Sequence, residues 1–190
     1  MSGYTLLADL LPSRIQGGAR DGTATHNSPF YQHGFKWALR YLKRDNITGL
    51  ILDPFARNCV WGDITNDLNP DFETTHNMDA EDFLKDRPAG SAKLILFDPP
   101  FSDRMDKDKY GGQGNLYASD ASKIIKCQNN LKRILKPGGL VIKLGYNSGR
   151  PFGLELVSCS VVNFGGCRND VIMTIWRNPD SSILSWGEEE

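Results

Sequence analysis

Apolar and polar positions along the chain fall into short alternating blocks. Leu50-Ile51-Leu52, Ile64-Thr65-Asn66 and Lys93-Leu94-Ile95-Leu96-Phe97 are brief runs, each followed by an aspartate: Asp53, Asp67 and Asp98. Runs this short suit strands of a parallel sheet buried on both faces. Ser28-Pro29 puts a proline at a first helical position, and Phe30, Phe35, Trp37, Ala38, Tyr41 and Leu42 make one apolar stripe, predicting a helix to about Arg44. A second helix is expected over Ala80 to Lys85 with Asp79 as its N-cap, and a third from Ser119 to Leu135, stopped by Lys136-Pro137-Gly138-Gly139. Leu140 to Leu144 reads as a strand. Leu154 to Asn163 and Asp170 to Arg177 read as two more, and the short segment 164–169 between them forces an antiparallel pair. The expected architecture is α/β, a mostly parallel sheet finished by an antiparallel C-terminal hairpin.

The chain has 190 residues, single-domain size, so residues 1–190 are read as one domain. The ends, about 1–20 and 178–190, look loose, and Glu188-Glu189-Glu190 reads as a solvated tail. No stretch approaches the roughly 20 apolar residues that span a bilayer, and no basic segment followed by an apolar core opens the chain. A cytoplasmic protein without membrane contact is expected. Cys59, Cys127, Cys159 and Cys167 form no Cys-x-x-Cys pair, and with His26, His33 and His76 they lack the spacing of a zinc site. Reduced structural thiols and no metal are the reading. The net charge is -1, so a nucleic-acid partner would need a local basic patch.

Candidate chemistry concentrates in the three aspartates, because ligands of an open parallel sheet sit at the carboxyl ends of its strands. A carboxylate there can pair with an ammonium or accept hydrogen bonds from ribose hydroxyls. Asp98-Pro99-Pro100-Phe101 combines an acid, a rigid turn that donates no N–H, and an aromatic face.

Leu52-Asp53-Pro54-Phe55-Ala56, Asp67, Asp79-Ala80, Asp98-Pro99-Pro100-Phe101 and Leu135-Lys136-Pro137-Gly138-Gly139 occur in an order and spacing that resembles the class I methyltransferases. Within them the likeness is to amino-methyltransferases that modify adenine N6 or guanine N2 of nucleic acids, and it covers about residues 25 to 177. The acidic-Pro-Phe-Ala turn followed by Thr65-Asn66-Asp67-Leu68-Asn69-Pro70 and then Asp-Pro-Pro is similar to small phage-type N6-adenine DNA methyltransferases. The resemblance implies a Rossmann-like doubly wound sheet of about seven strands and S-adenosyl-L-methionine as cofactor. It places Asp53, Pro54, Phe55, Ala56, Asp67, Leu68, Asp79, Ala80 and Asp98 around that cofactor: Asp53 at the methionine end, Asp67 at the ribose, Asp79 at the adenine. An Asp67 that serves only the ligand would be dispensable to the free protein.

The resemblance also implies a catalytic role for Asp98, Pro99, Pro100 and Phe101. Methyl transfer to an exocyclic amine needs the nitrogen lone pair drawn out of conjugation. The Asp98 carboxylate and the Pro99 carbonyl can each accept one N–H, and Phe101 can stack the base. Arg104, Lys107, Lys109 and Tyr110, in the loop from Ser102 to Ala118, are candidate substrate contacts, though Asp103, Asp106 and Asp108 offset much of the charge and a solvated loop accounts for them nearly as well. His26 to Tyr31 resembles an N-terminal cofactor motif and is explained almost as well as a capped helix start.

Where the family has glycines after Phe-Ala, this chain has Arg57, Asn58 and Cys59. Asn58 is the expected carrier of any positive φ, with Gly62 serving later in the loop. The expected polymer is DNA in preference to RNA, with adenine N6 the target. An RNA guanine-N2 methyltransferase is the alternative, followed by a non-catalytic binding protein on the same fold. No target-recognition domain fits in this length, which points to loops that read a short site, to a protein partner, or to a target other than duplex DNA.

Overall fold

The computed structural model describes residues 14–16, 47–57, 59, 61–100, 121–163 and 171–179. Its elements are β1 (Arg14–Gln16), β2 (Leu50–Asp53), β3 (Ile64–Thr65), α1 (Ala80–Lys85), β4 (Ala92–Phe97), α2 (Ala121–Ile134), β5 (Leu135–Gly145), β6 (Glu155–Asn163) and β7 (Val171–Arg177). One mixed sheet contains the strands in the order β1-β6-β7-β5-β4-β2-β3. β3, β2, β4 and β5 run parallel, and β7 is antiparallel to both β5 and β6.

Six of these strands lie where the apolar blocks predict them. The remaining one, β1, has no counterpart among those blocks: three residues, Arg14 to Gln16, pair in parallel with Val161 to Asn163. The expected helix over 28–44 and the 102–118 loop lie outside the described residues.

Burial on both faces explains why β2 and β4 read as continuous apolar runs. Ile51, Leu94, Leu96, Ile142, Leu144, Met173 and Ile175 point to one core. Their neighbours Leu52, Ile95, Phe97 and Val141 point to the other, where Phe83 and Leu84 of α1 and Leu131 and Ile134 of α2 cover them. The cap of α1 is Asp79, whose side chain accepts from the Glu81 N–H at 2.8 Å. The far end of α1 is closed by Arg133 of α2, which donates to the carbonyls of Leu84, Lys85 and Arg87 at 2.9, 3.1 and 2.7 Å.

The Lys136-Pro137-Gly138-Gly139 stop is an irregularity inside β5, whose register with β4 shifts between Ala92↔Leu135 and Leu94↔Leu140. A Cβ on Gly139 would lie 2.8 Å from the Lys136 carbonyl oxygen, so glycine is required there. Asn178 locks this turn and is 7% exposed. Its backbone exchanges hydrogen bonds with Gly138 and Gly139, and its amide donates to the Leu135 carbonyl at 3.0 Å.

β5 and β6 are parallel, since both oppose β7, yet only residues 146–154 join them. That is shorter than the crossover of a dozen residues normal for a parallel return. The connection carries no helix and runs back along the side of the sheet that α2 covers, where Leu154 joins the core of Leu131 and Trp176.

Candidate active site

Asp53, Asp67 and Asp98 come together at one edge because their strands are adjacent and parallel in the order β4-β2-β3. Asp53 ends β2, Asp98 follows β4, and Asp67 follows β3 after one intervening residue, Asn66. All three are buried, at 0%, 1% and 6% exposure for Asp53, Asp67 and Asp98.

Asp53 sits in the middle. Its Oδ1 accepts the Phe55 N–H at 3.2 Å, fixing the turn, and the Cys59 thiol lies beside the carboxylate. Oδ2 is buried and meets no hydrogen-bond donor among the described residues. Burial pushes the carboxyl up to about 7, against the pull of the Cys59 thiol and the Phe55 N–H, and the charge of Asp67 pushes the same way. The Cys59 thiol is pushed up in turn, first by burial and then by the charge of Asp53, with a smaller contribution from Asp98.

The loop after β2 is built by its neighbours. Asn66 is fully buried and binds three backbone groups: its amide donates to the carbonyls of Pro54 and Met78 at 3.1 and 3.0 Å, and its oxygen accepts the Met78 N–H at 3.1 Å. It thereby joins the Asp53 turn to the segment that leads into α1, a role the sequence pattern did not single out. Ala56 donates its N–H to the Asn66 carbonyl at 2.8 Å.

Arg57 has φ +51, a left-handed position the sequence did not assign to it, while Asn58 lies outside the described residues. Gly62 has no positive φ and serves through close approach instead, since a Cβ on it would meet the Asp53 Cβ at 3.0 Å and the Thr65 Cγ2 at 3.2 Å. Asp67 spends both oxygens on the fold, Oδ2 accepting the Arg57 N–H at 3.0 Å and Oδ1 the Asn69 N–H at 2.9 Å. The expectation that it is dispensable to the free protein is therefore corrected. Burial raises its carboxyl, opposed by these two N–H groups and by the Arg57 charge. The Arg57 guanidinium is buried over the Phe72 ring, 5.4 Å from its centroid, and its Nε meets no acceptor among the described residues.

The other candidates divide by environment. Phe55 is in the core, edge-on to Phe97 at 5.4 Å, and Ala56 and Ala80 are buried there too. Pro54 and Pro99 are buried, while Leu68, Asp79 and Pro100 are half-buried. Phe101, Arg104, Lys107, Lys109 and Tyr110 lie outside the described residues. Cys59 and Cys127 are buried thiols outside any disulfide and Cys159 is an exposed one. No helix among the described residues is long and apolar enough to cross a membrane.

No protein-family model and no curated protein matches the chain. Among solved structures it is similar to the N-methyltransferase NodS from Bradyrhizobium japonicum WM9, at TM-score 0.53 and 14% identity over 82% of this chain and 100% of that one. The complex of NodS with S-adenosyl-L-homocysteine gives TM-score 0.52 and 15% identity over 80% and 89%. TrmN from Thermus thermophilus gives 0.52 and 19% over 75% of this chain and 47% of TrmN. At these identities the likeness is one of fold, and the fold of this chain is that of these methyltransferases.

Proposed function

We propose that this chain is an S-adenosylmethionine-dependent methyltransferase acting on an exocyclic amino group of a nucleic-acid base, with adenine N6 in DNA the first candidate. The observation that carries the reading is the placement of Asp98-Pro99-Pro100 at the end of β4, next to the buried Asp53 of β2 in a sheet of this order. NodS has the same fold and is an N-methyltransferase that binds S-adenosyl-L-homocysteine, which supports a cofactor of that class here.

The residues fit such a cofactor. Asp53 presents a buried carboxylate oxygen that meets no donor among the described residues, suited to an ammonium, and the half-buried Asp79 could accept from an adenine amino group. Each Asp67 oxygen accepts one N–H and retains a lone pair for a ribose hydroxyl. When bound, the cofactor supplies an electrophilic methyl group on a sulfonium. The chain's own part is to orient the amine: Asp98 accepts one N–H, the Pro99 carbonyl the other, and the nitrogen lone pair is left to face the methyl. Both prolines lack an N–H that would compete for the acceptors. Burial of Asp98 keeps water from those acceptors and strengthens them.

The test is transfer of a tritiated methyl group from the cofactor into DNA, RNA and protein fractions, followed by identification of the modified nucleoside. N6-methyladenine in DNA is the expected product. Label in N2-methylguanine of RNA would move the target, and label in none of the three would overturn the reading.

A further inference from the structure

We infer that the groove between α2 and the 146–154 crossover holds a single polynucleotide strand, with phosphates on Lys126, Lys132 and Arg150 and a base stacked on Phe152. This deepens the proposed function and rests on its nucleic-acid reading.

Charge is segregated in this part of the chain. Residues 121–154 contain Lys123, Lys126, Lys132, Arg133, Lys136, Lys143 and Arg150 and no aspartate or glutamate, whereas the whole chain has 22 basic and 23 acidic residues. A local field of this kind is what a protein of net charge -1 needs to hold a polyanion. Three of the seven serve the fold: Arg133 at the end of α1, the buried Lys143, which donates to the Gly149 carbonyl at 2.9 Å, and Arg150 through its Nε. Lys126, Lys132 and Arg150 are exposed.

The groove has a volume of about 450 Å³ and is lined by Ile125, Gln128, Asn129, Arg150, Phe152 and Gly153. Phe152 is 78% exposed. Its turn is built to hold it there: the Leu154 N–H donates to the Pro151 carbonyl at 3.3 Å, Arg150 Nε donates to the Leu154 carbonyl at 2.8 Å, and Gly153 takes φ +72. A Cβ on Gly153 would come within 2.6 Å of the Lys132 side chain, so Lys132 lies against the same turn. An aromatic face fixed in water, beside two amides and a row of cations, matches the three things an unpaired strand offers: base faces, base edges and phosphates. A duplex hides its base faces.

The test is fluorescence anisotropy with labelled DNA and RNA strands of about twelve nucleotides, and with a DNA duplex, across a salt series. Phe152→Ala should weaken strand binding about tenfold and leave the salt slope alone. The pair Lys126→Gln and Lys132→Gln should lower that slope by roughly 0.7 per lost cation. All three side chains are exposed, so melting temperatures should match the parent. A preference for one polymer together with both dependences supports the groove and names the polymer. Parent protein that binds strands while both variants bind equally well, with unchanged slope, would overturn the groove and leave the nucleic-acid reading standing. Duplex binding as tight as strand binding, with no effect of Phe152→Ala, would overturn the stacking. No binding of any of the three polymers would overturn groove and reading together.

Discussion

The backbone N–H of Arg57 donates to Asp67 Oδ2 at 3.0 Å, so the residue that stands in place of a glycine also positions the acid after β3. A glycine could make that bond without strain. Arg57 makes it at φ +51, where a Cβ crowds the following carbonyl.

The first prediction isolates that strain. Arg57→Gly and Arg57→Ala both lose the guanidinium over Phe72, but only alanine keeps the Cβ in the left-handed region. The glycine variant should be more stable than the alanine variant by about 1 kcal/mol, less what glycine loses in unfolded-state entropy. Urea denaturation of the two measures it, and equal midpoints would mean that the loop relaxes out of the left-handed region.

Asp67→Ala should reduce stability before any ligand is considered, because the Arg57 and Asn69 N–H groups lose their acceptor. A buried donor left unsatisfied costs about 1–3 kcal/mol. For a chain of this size, where each kcal/mol is worth about 2–4 °C, the melting temperature of the free protein should drop by roughly 2–12 °C. Calorimetric titration with S-adenosylhomocysteine should then show weaker binding as well. A melting point at the parent value would deny Asp67 its capping role, and unchanged affinity would remove it from the ribose.

Asp53 makes stability depend on pH. Its carboxyl is raised from 3.8 to about 7 in the folded protein, so folding favours the protonated form. Relative to a neutral residue there is no penalty below about pH 4, where both states hold the proton. As pH rises toward 7 the unfolded chain ionises and the folded one does not, and stability falls by as much as roughly 4 kcal/mol before levelling off above 7. Asp53→Asn has nothing to ionise. Thermal melts of parent and variant should nearly coincide at about pH 3 to 4 and diverge by about pH 8 in favour of the variant. Buried Asp67 adds pH dependence of the same sign to both proteins, so the difference between them is the quantity to read.

How much of this was legible varies with the length scale of the cause. Continuous apolar runs at Leu50 to Leu52 and Leu94 to Phe97 report burial on both faces, and an aspartate after each reports the edge, so the strands and two of the three acids could be read locally. The Asp79 cap is likewise a matter of neighbouring residues. Asn66 and Asn178 were not legible, because an asparagine that bonds backbone from two other segments has the same local context as one in a surface turn. β1 is three residues long and takes its partners from β6, far along the chain, with no periodicity of its own. The positive φ of Arg57 was not legible either, since its N–H is held by the Asp67 carboxylate, a contact between residues 10 positions apart.

The last prediction concerns the chemical step. Asp98 follows β4 with 6% exposure, beside two prolines, while the Asp53 and Asp67 loops are built from β2 and β3. Removing its side chain should therefore leave the proposed cofactor pocket largely as it is. Asp98→Ala takes away one of the two acceptors for the amine, an interaction that matters most as the nitrogen leaves conjugation. A loss made mainly in the transition state lowers kcat with little change in ground-state affinity. The expected result is a fall in kcat on the order of a hundredfold or more, as for other single polar groups that stabilise a developing charge. S-adenosylhomocysteine binding should stay within about twofold of the parent. Phe101→Ala is the comparison, since loss of a stacking face should weaken polymer binding as well as turnover. Methyl transfer by Asp98→Ala at close to the parent rate would show that the amine is oriented by other groups, and the reason for preferring an amino group as the target would fall with it.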